Sequence, residues 1–249
     1  MILCMAASGG APEAATPAFT APAPVQDRTT IGVAVLRGPR YQGSDRYRLL
    51  AVPVIELRYG RFFANPRKGI GYQVLRHKKL TITTAATYVR GYRQEDTPKG
   101  VGRLASGVGA RVAADLKSHG VRATLGVTKV LSGDVDGTLV DAGLSATVPV
   151  SRRLALMPGV SATWASRSYT ERYFGLTPVQ AAASGLRVFQ PGGGIKDVSA
   201  TLAAVYRLDD HVSVAATGAL TSVQGDAKDS PIVLERTQSS AVLSVMYRF

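Results

Sequence analysis

The sequence predicts an all-β fold, a transmembrane antiparallel β-barrel of about twelve strands, with ten as the alternative, short periplasmic turns and long extracellular loops. Three observations predict it. Apolar residues recur at every second position over stretches of about ten residues, the period of a strand. The faces between them hold Ser, Thr, Gly and Ala with a few charges, which suits a lumen better than a charged solvent face. The connections alternate between short and long along the chain, as in barrels with turns on one membrane side and loops on the other.

Taken in order, residues 1–27 read as the worn remainder of a secretion signal, "MILCMAASGGAPEAATPAF", followed by an Ala/Pro-rich disordered stretch. The signal lacks a basic start. Residues 28–249 then form the barrel. "KLTITTAATY" sets Leu80, Ile82, Ala86 and Tyr88 on one face, and "TLVDAGLSATVPV" sets Val140, Ala142, Leu144, Ala146 and Val148 on one face. "RRLALMPGVSATW" contributes Leu154, Leu156, Val160, Ala162 and Trp164, and "DVSATLAAVYRL" contributes Val198, Ala200, Leu202, Ala204 and Tyr206. "HVSVAATGALTS" and the terminal "SAVLSVMYRF" repeat the pattern, and "RFFANPRKGIGYQVL" reads as short strands. A soluble β-sandwich also alternates, but its strands are about five or six residues long, whereas these reach the length a tilted strand needs to cross a bilayer. An even number of strands closes every edge.

Short turns are expected near Tyr59–Gly60, His77–Lys79, Lys117–Gly120, Ser151–Arg152 and Asp209–Asp210, and long connections at 38–46, 92–103, 166–193 and 225–238, with a tighter one at 132–137. The register then brings Tyr206, Tyr247 and Phe249 to periplasmic ends and Tyr88 and Trp164 to outer ends, where aromatic girdles lie. In the longest loop, "TPVQAAASG" predicts a short helix: Thr177 caps it, Pro178 suits its first position, Gln180 completes a capping box and Gly185 ends it. Such a helix either roofs the outer mouth or helps bind a ligand.

Composition excludes several function classes. The longest apolar run, "LLAVPVIEL" at 49–57, is far short of the roughly 20 residues of a membrane-spanning helix. The single Cys4 permits no internal disulfide and no cysteine metal site. The formal net charge of +13 calls for a polyanionic neighbour; without a nucleic-acid motif, that neighbour is membrane phosphate, lipopolysaccharide or cell-wall polymer rather than nucleic acid. Asp134 and Asp136 in "SGDVDG" lack the further ligands a Ca²⁺ loop needs, and "GDAKDSP" reads as a solvated loop. The glycines of "PGGGIKDV" precede a strand and follow no phosphate-binding pattern. No metal ligand set, cofactor motif or catalytic residue is assigned: His77, His119 and His211 all fall beside periplasmic turns, away from any outer-leaflet nucleophile.

Two groups of residues are candidates for function. Arg76, Lys78, Lys79, Lys117, Arg152 and Arg153 form a basic periplasmic edge, suited to an acidic partner on the cell-wall side. Arg48, Glu56, Arg58, Arg111, Asp115, Arg122, Asp141, Arg207 and Arg248 take lumen parity, where they either line a polar path or brace the barrel as paired charges. Arg37, Arg40, Lys99 and Arg103 are placed outside, facing lipopolysaccharide phosphates.

The terminal strand resembles the C-terminal signature of bacterial outer-membrane proteins, which implies that Tyr247 and Phe249 serve as a signal to the barrel assembly machinery. Three further segments, "YQGSDRYRLLAVPVIELRYGRFFANPRKGIGY", "YFGLTPVQAAASGLRVFQPGGGIKDV" and "GDAKDSPIVLERTQSSAVLSVMYRF", resemble the MltA-interacting protein (MipA/OmpV) family. That resemblance implies a non-enzymatic barrel in the outer membrane of a Gram-negative bacterium. It also implies a scaffold linking a lytic transglycosylase and a penicillin-binding protein in peptidoglycan synthesis. A porin-like channel for small solutes, or a surface adhesin, is the alternative.

Overall fold

In a computed structural model, residues 27–66 and 68–249 are described; the expectation for the first 26 residues lies outside them. Twelve antiparallel strands close into one barrel. They are β1 (Arg28–Pro39), β2 (Tyr47–Tyr59), β3 (Phe62–Asn65), β4 (Gly69–His77), β5 (Leu80–Val89), β6 (Gly107–Ser118) and β7 (Val121–Val130). After them come β8 (Thr138–Ala146, resumed at Val148–Pro149), β9 (Leu154–Ala165), β10 (Gly194–Arg207), β11 (Val212–Val223) and β12 (Thr237–Arg248). Each pairs with its sequence neighbour, and β12 returns to pair with β1 from Thr30↔Arg248 to Arg37↔Ala241.

The register confirms the alternation read from the sequence. Val33, Pro53 and Val245 lie opposite one another on the outward face, as do Leu125, Ala142 and Ala162. Exposed Val33, Leu125, Leu144, Val160, Leu202 and Leu220 form an apolar belt, whose only strand charges among the described residues are Arg37 and Lys129, both near outer ends. Tyr59, Phe62, Tyr206, Tyr247 and Phe249 girdle the inner end, and Tyr88 and Trp164 the outer end, all exposed. Two prolines sit where a missing N–H does least harm. Opposite Pro158, β8 breaks between Ala146 and Val148; Pro53 lies in the part of β2 that has no neighbour on one side.

That second site corrects an expectation. An even strand count does close the sheet, but it does not pair every edge. β3 is only four residues long and meets β2 at Leu57, Arg58 and Tyr59 alone, so residues 47–56 of β2 pair only with β1.

The apolar core lies in the loops, not between the strands. Helix α1 (Arg167–Phe174) and helix α2 (Pro178–Ser184) stand in the longest connection. Tyr169, Tyr173, Phe174 and Leu176 from that connection pack with Tyr41 from the first loop, Tyr92, Val101 and Leu104 from the second, Val135 from the third and Ile232 from the last. Tyr92 meets Tyr173 edge-on at 5.4 Å, and Tyr169 stacks on Tyr173 at 5.8 Å. The predicted helix is present with its capping box: the Gln180 N–H donates to the Thr177 hydroxyl at 3.3 Å, and Gly185 ends it at a left-handed φ of 71°. Its Gln180 Nε2 also donates to the Val101 carbonyl at 2.7 Å, so the helix is tied down as part of a roof. The last loop departs from the solvated expectation. Asp226 accepts from the Gly192 N–H at 2.8 Å, the Ser230 hydroxyl donates to the Phe174 carbonyl at 2.5 Å, and Ile232 is fully buried.

Because Tyr173 touches rings on three sides at 3% exposure, Tyr173→Ala is expected to cost about 3–5 kcal/mol. Urea unfolding of the refolded barrel checks this, and Val179→Ala on the exposed face of α2 should change little.

Candidate functional site

Two regions face one another along the barrel axis: a lumen closed over by the roof, and an inner mouth rich in cations. Beneath the roof lies a cavity of about 630 Å³ whose lining includes Gln42, Lys68, Arg111, Asp141, Tyr173 and Lys196. Its charges come in pairs. Arg111 on β6 reaches across β7 to Asp141 on β8, donating at 2.5 and 2.7 Å to the two carboxylate oxygens and at 3.0 Å to Thr128 Oγ1. Such a bidentate pair is the strongest arrangement open to these groups. Gly126 makes room for it: a Cβ there would lie 2.1 Å from the Arg111 Nη2. The Lys68 ammonium, from the connection between β3 and β4, lies 2.7 Å from Asp115 Oδ2, while the Thr124 hydroxyl donates to Asp115 Oδ1 at 2.7 Å. Lys196 pairs with Asp197, and both bond to the Gln42 amide.

The nine lumen candidates therefore divide by height. Arg111 and Asp141 brace the barrel beneath the roof, and Asp115, three residues from the inner end of β6, is held by Lys68 and Thr124. Arg48 lies at the outer end of β2, its guanidinium 3.6 Å from Asp96 of the second loop. Glu56, Arg58, Arg122, Arg207 and Arg248 fall within four residues of inner strand ends. Arg207 and Arg248 hold the mouth by donating at 2.5 Å to the carbonyls of Arg152 and Asp210 in the inner turns. The side chains of Glu56, Arg58 and Arg122 make no hydrogen bond or ion pair among the described residues.

The basic edge continues this mouth. Arg76 faces inward opposite Thr81, and Lys117 faces inward opposite Arg122. Lys78 and Lys79 form the turn between β4 and β5, with Lys78 at a φ of 37°, and the Lys117 N–H donates to the Lys79 carbonyl at 2.8 Å. These four adjoin one another, whereas Arg152 and Arg153 stand on the separate turn between β8 and β9. The sequence reading treated the inner edge and the lumen as two sets; the register joins them into one cationic rim. What it missed were Lys68 and Lys196, because neither parity nor spacing reveals a turn or a bulge that aims inward.

The roof tyrosines are shifted by burial. Desolvation pushes Tyr41 up to about 12 and raises Tyr92, Tyr169 and Tyr173 as well. In the loop at 132–137, the Lys129 ammonium and the Gly137 N–H hold the Asp136 carboxyl below its usual range, and Asp134 accepts from the Ala105 N–H at 2.8 Å. In the inner turn, the N–H groups of Val212 and His211 do the same for Asp209. His77, His119 and His211 all lie at inner turns or strand ends.

A closed barrel with an apolar belt, aromatic girdles and a loop-built roof defines an outer-membrane β-barrel protein. The chain belongs to the family described as MltA-interacting protein MipA, which it matches over residues 31–249. No curated protein matches it. Among solved structures it is similar to the NanC porin, at 9% identity and a TM-score of 0.46 over 86% of this chain and 98% of that one. It is also similar to an anion-selective porin from Comamonas acidovorans, at 11% identity and a TM-score of 0.42 over 90% and 99%, and to the outer membrane channel DcaP of Acinetobacter baumannii, at 10% identity and a TM-score of 0.42 over 90% and 96%.

Two outcomes are expected. Asp141→Ala leaves Arg111 half-buried without its partner and should cost about 1–3 kcal/mol in urea unfolding, and Gly126→Ala should act in the same direction by displacing the guanidinium. Below pH 10 the roof tyrosines are neutral in the folded and the unfolded chain, so their shift contributes nothing. Above it the unfolded chain ionises first, so stability should fall as pH rises from 10 through about 12. Ultraviolet titration should show a late phase, coincident with unfolding, that Tyr→Phe changes at positions 41, 92, 169 and 173 reduce.

Proposed function

We propose that this chain is a non-enzymatic outer-membrane scaffold that engages peptidoglycan-synthesising machinery through its cationic inner mouth. The observation that carries this reading is the opposition of the two ends. The outer mouth lies under a packed aromatic roof and the mid-lumen charges neutralise one another. The inner rim keeps Arg58, Arg76, Lys78, Lys79, Lys117, Arg122, Arg152 and Arg153 exposed on the cell-wall side. Cations so arranged steer an acidic protein surface or anionic polymer to the barrel's base. The family's name points to a lytic transglycosylase as one partner, and the family resemblance adds a penicillin-binding protein. Tyr247 and Phe249 supply the barrel assembly signal under the same reading, and the outer cations face lipopolysaccharide.

A porin-like channel is the second reading, carried by the cavity of about 630 Å³ under the roof. It requires the roof to open.

Reversing Lys78, Lys79, Arg152 and Arg153 to Glu should abolish capture of the transglycosylase by the refolded barrel and leave any conductance unchanged. Planar-bilayer recording supplies the other arm. A heat-modifiable barrel that stays electrically silent supports the scaffold; steady ohmic current whose selectivity changes on Arg111→Glu, with capture unaffected by the reversals, overturns it.

A further inference from the structure

The free edge of β2 frames an opening in the barrel wall. β3 ends at Asn65, β4 begins at Gly69, and β4 follows β5 only as far as Ala86. Above that hairpin no strand stands between β2 and β5. The second loop, residues 90–106, is fastened across the top: Asp96 receives Arg40 at 3.4 Å and Arg48 at 3.6 Å, and Arg46 Nη2 donates to its carbonyl at 2.8 Å.

The chemistry around this opening differs from the rest of the lumen. Inward positions on β5 to β8 are mainly Thr, Gly, Asp and Arg, but beside the opening they are Leu36, Leu50, Val52 and Val54. Leu50 and Val52 are each 38% exposed. Leu36 and Leu50 line a cavity of about 490 Å³ that shares Leu36, Tyr88 and Arg90 with the luminal cavity, so a slot that is apolar on its β1–β2 side and charged on its loop side runs from the wall toward the lumen. Four arginines border it. Arg48 braces Asp96, and Arg90 donates to the carbonyls of Pro39 and Arg40. Arg93 pairs only with the exposed Glu95, and Arg103 makes no hydrogen bond or ion pair among the described residues.

Two occupants suit an unpaired edge in a membrane: a strand from another chain or a lipid. Pro53 argues against the strand, since a proline midway along an edge removes a donor and blunts further pairing. Apolar walls beneath free guanidinium groups match the two ends of an anionic amphiphile. We propose that the gap is a lateral window in which an acyl chain of an anionic membrane lipid lies against Leu36, Leu50 and Val52, its phosphate held by Arg93 and Arg103. Water from the lumen reaches the free backbone groups of β2, which hydrocarbon alone would leave unbonded. This holds whether the barrel is a scaffold or a channel.

The test uses parity. With Trp164→Phe as background, single tryptophans are placed at inward Leu50 and Val52, at outward Leu49, and at inward Val205 on the fully paired β10. The proteins are refolded into vesicles of phosphatidylcholine, or of phosphatidylglycerol, carrying brominated acyl chains, with heat-modifiable migration confirming each barrel. Quenching of the Leu50→Trp and Val52→Trp variants is expected to match that of Leu49→Trp and to exceed that of Val205→Trp several-fold. It should be stronger in phosphatidylglycerol, and that excess should vanish with Arg93→Gln and Arg103→Gln. Quenching at positions 50 and 52 no greater than at 205 would mean a wall closed by protein and would overturn the proposal. Equal quenching in both lipids, unmoved by the arginine changes, would overturn the anionic headgroup.

Discussion

A backbone group in hydrocarbon has no water to bond, and nearly everything else in this protein depends on that fact. It forces the last strand to return to the first, and the β1–β12 seam of eight successive Cα pairs achieves the closure. Closure fixes parity, because a slip of one residue would turn Val33, Val245 and Leu243 inward and put Arg248 and Ser244 into lipid. It also governs proline. Pro158 is tolerated because β8 yields opposite it, and Pro53 because its strand has no neighbour on that side.

A ring of twelve strands encloses more space than small inward side chains fill. On β10, Ser199 lies between Ser161 and Thr221, and Thr201 between Gly159 and Ala219, so no apolar core forms there. The chain builds its core above the sheet instead, from residues of all the long loops. The roof in turn needs exact placement of its polar atoms, since a buried hydroxyl or amide without a partner costs more than a made bond gains. The Tyr41 hydroxyl donates to the Ile232 carbonyl at 2.8 Å, the Gln42 N–H donates to the Tyr173 hydroxyl, and Gln238 ties the first loop to β12 through Gly43 and Ser44. Loops far apart in sequence are thereby locked to one another and to the barrel.

Charge is partitioned by the same physics. Midway down the lumen, where water is restricted, each cation has a carboxylate within reach. At the inner mouth, open to solvent, cations outnumber acids and stand apart. Much of the formal charge of +13 therefore lies at that end. Among the described residues the wall is interrupted beside β2, where inward residues are apolar and the bordering arginines are only partly engaged.

Much of this was legible in the sequence, because a strand's two faces are written two residues apart. The alternation of Leu80, Ile82 and Tyr88, or of Val198, Ala200 and Leu202, needs no tertiary information, nor does the alternation of short and long connections. The α2 helix was also readable, since Thr177, Gln180 and Gly185 satisfy its ends locally. Parity likewise marked Arg111, Asp115 and Asp141 as inward. What parity cannot give is depth along the strand or the partner two strands away. Only the folded barrel sets Arg111 over Gly126 onto Asp141, swings Lys68 in from a turn to Asp115, and gathers Tyr41, Tyr92 and Tyr173 from three loops into one roof. Local periodicity records which side a residue faces, whereas the length of β3, and with it the gap beside β2, emerges only when each strand is laid against its neighbours.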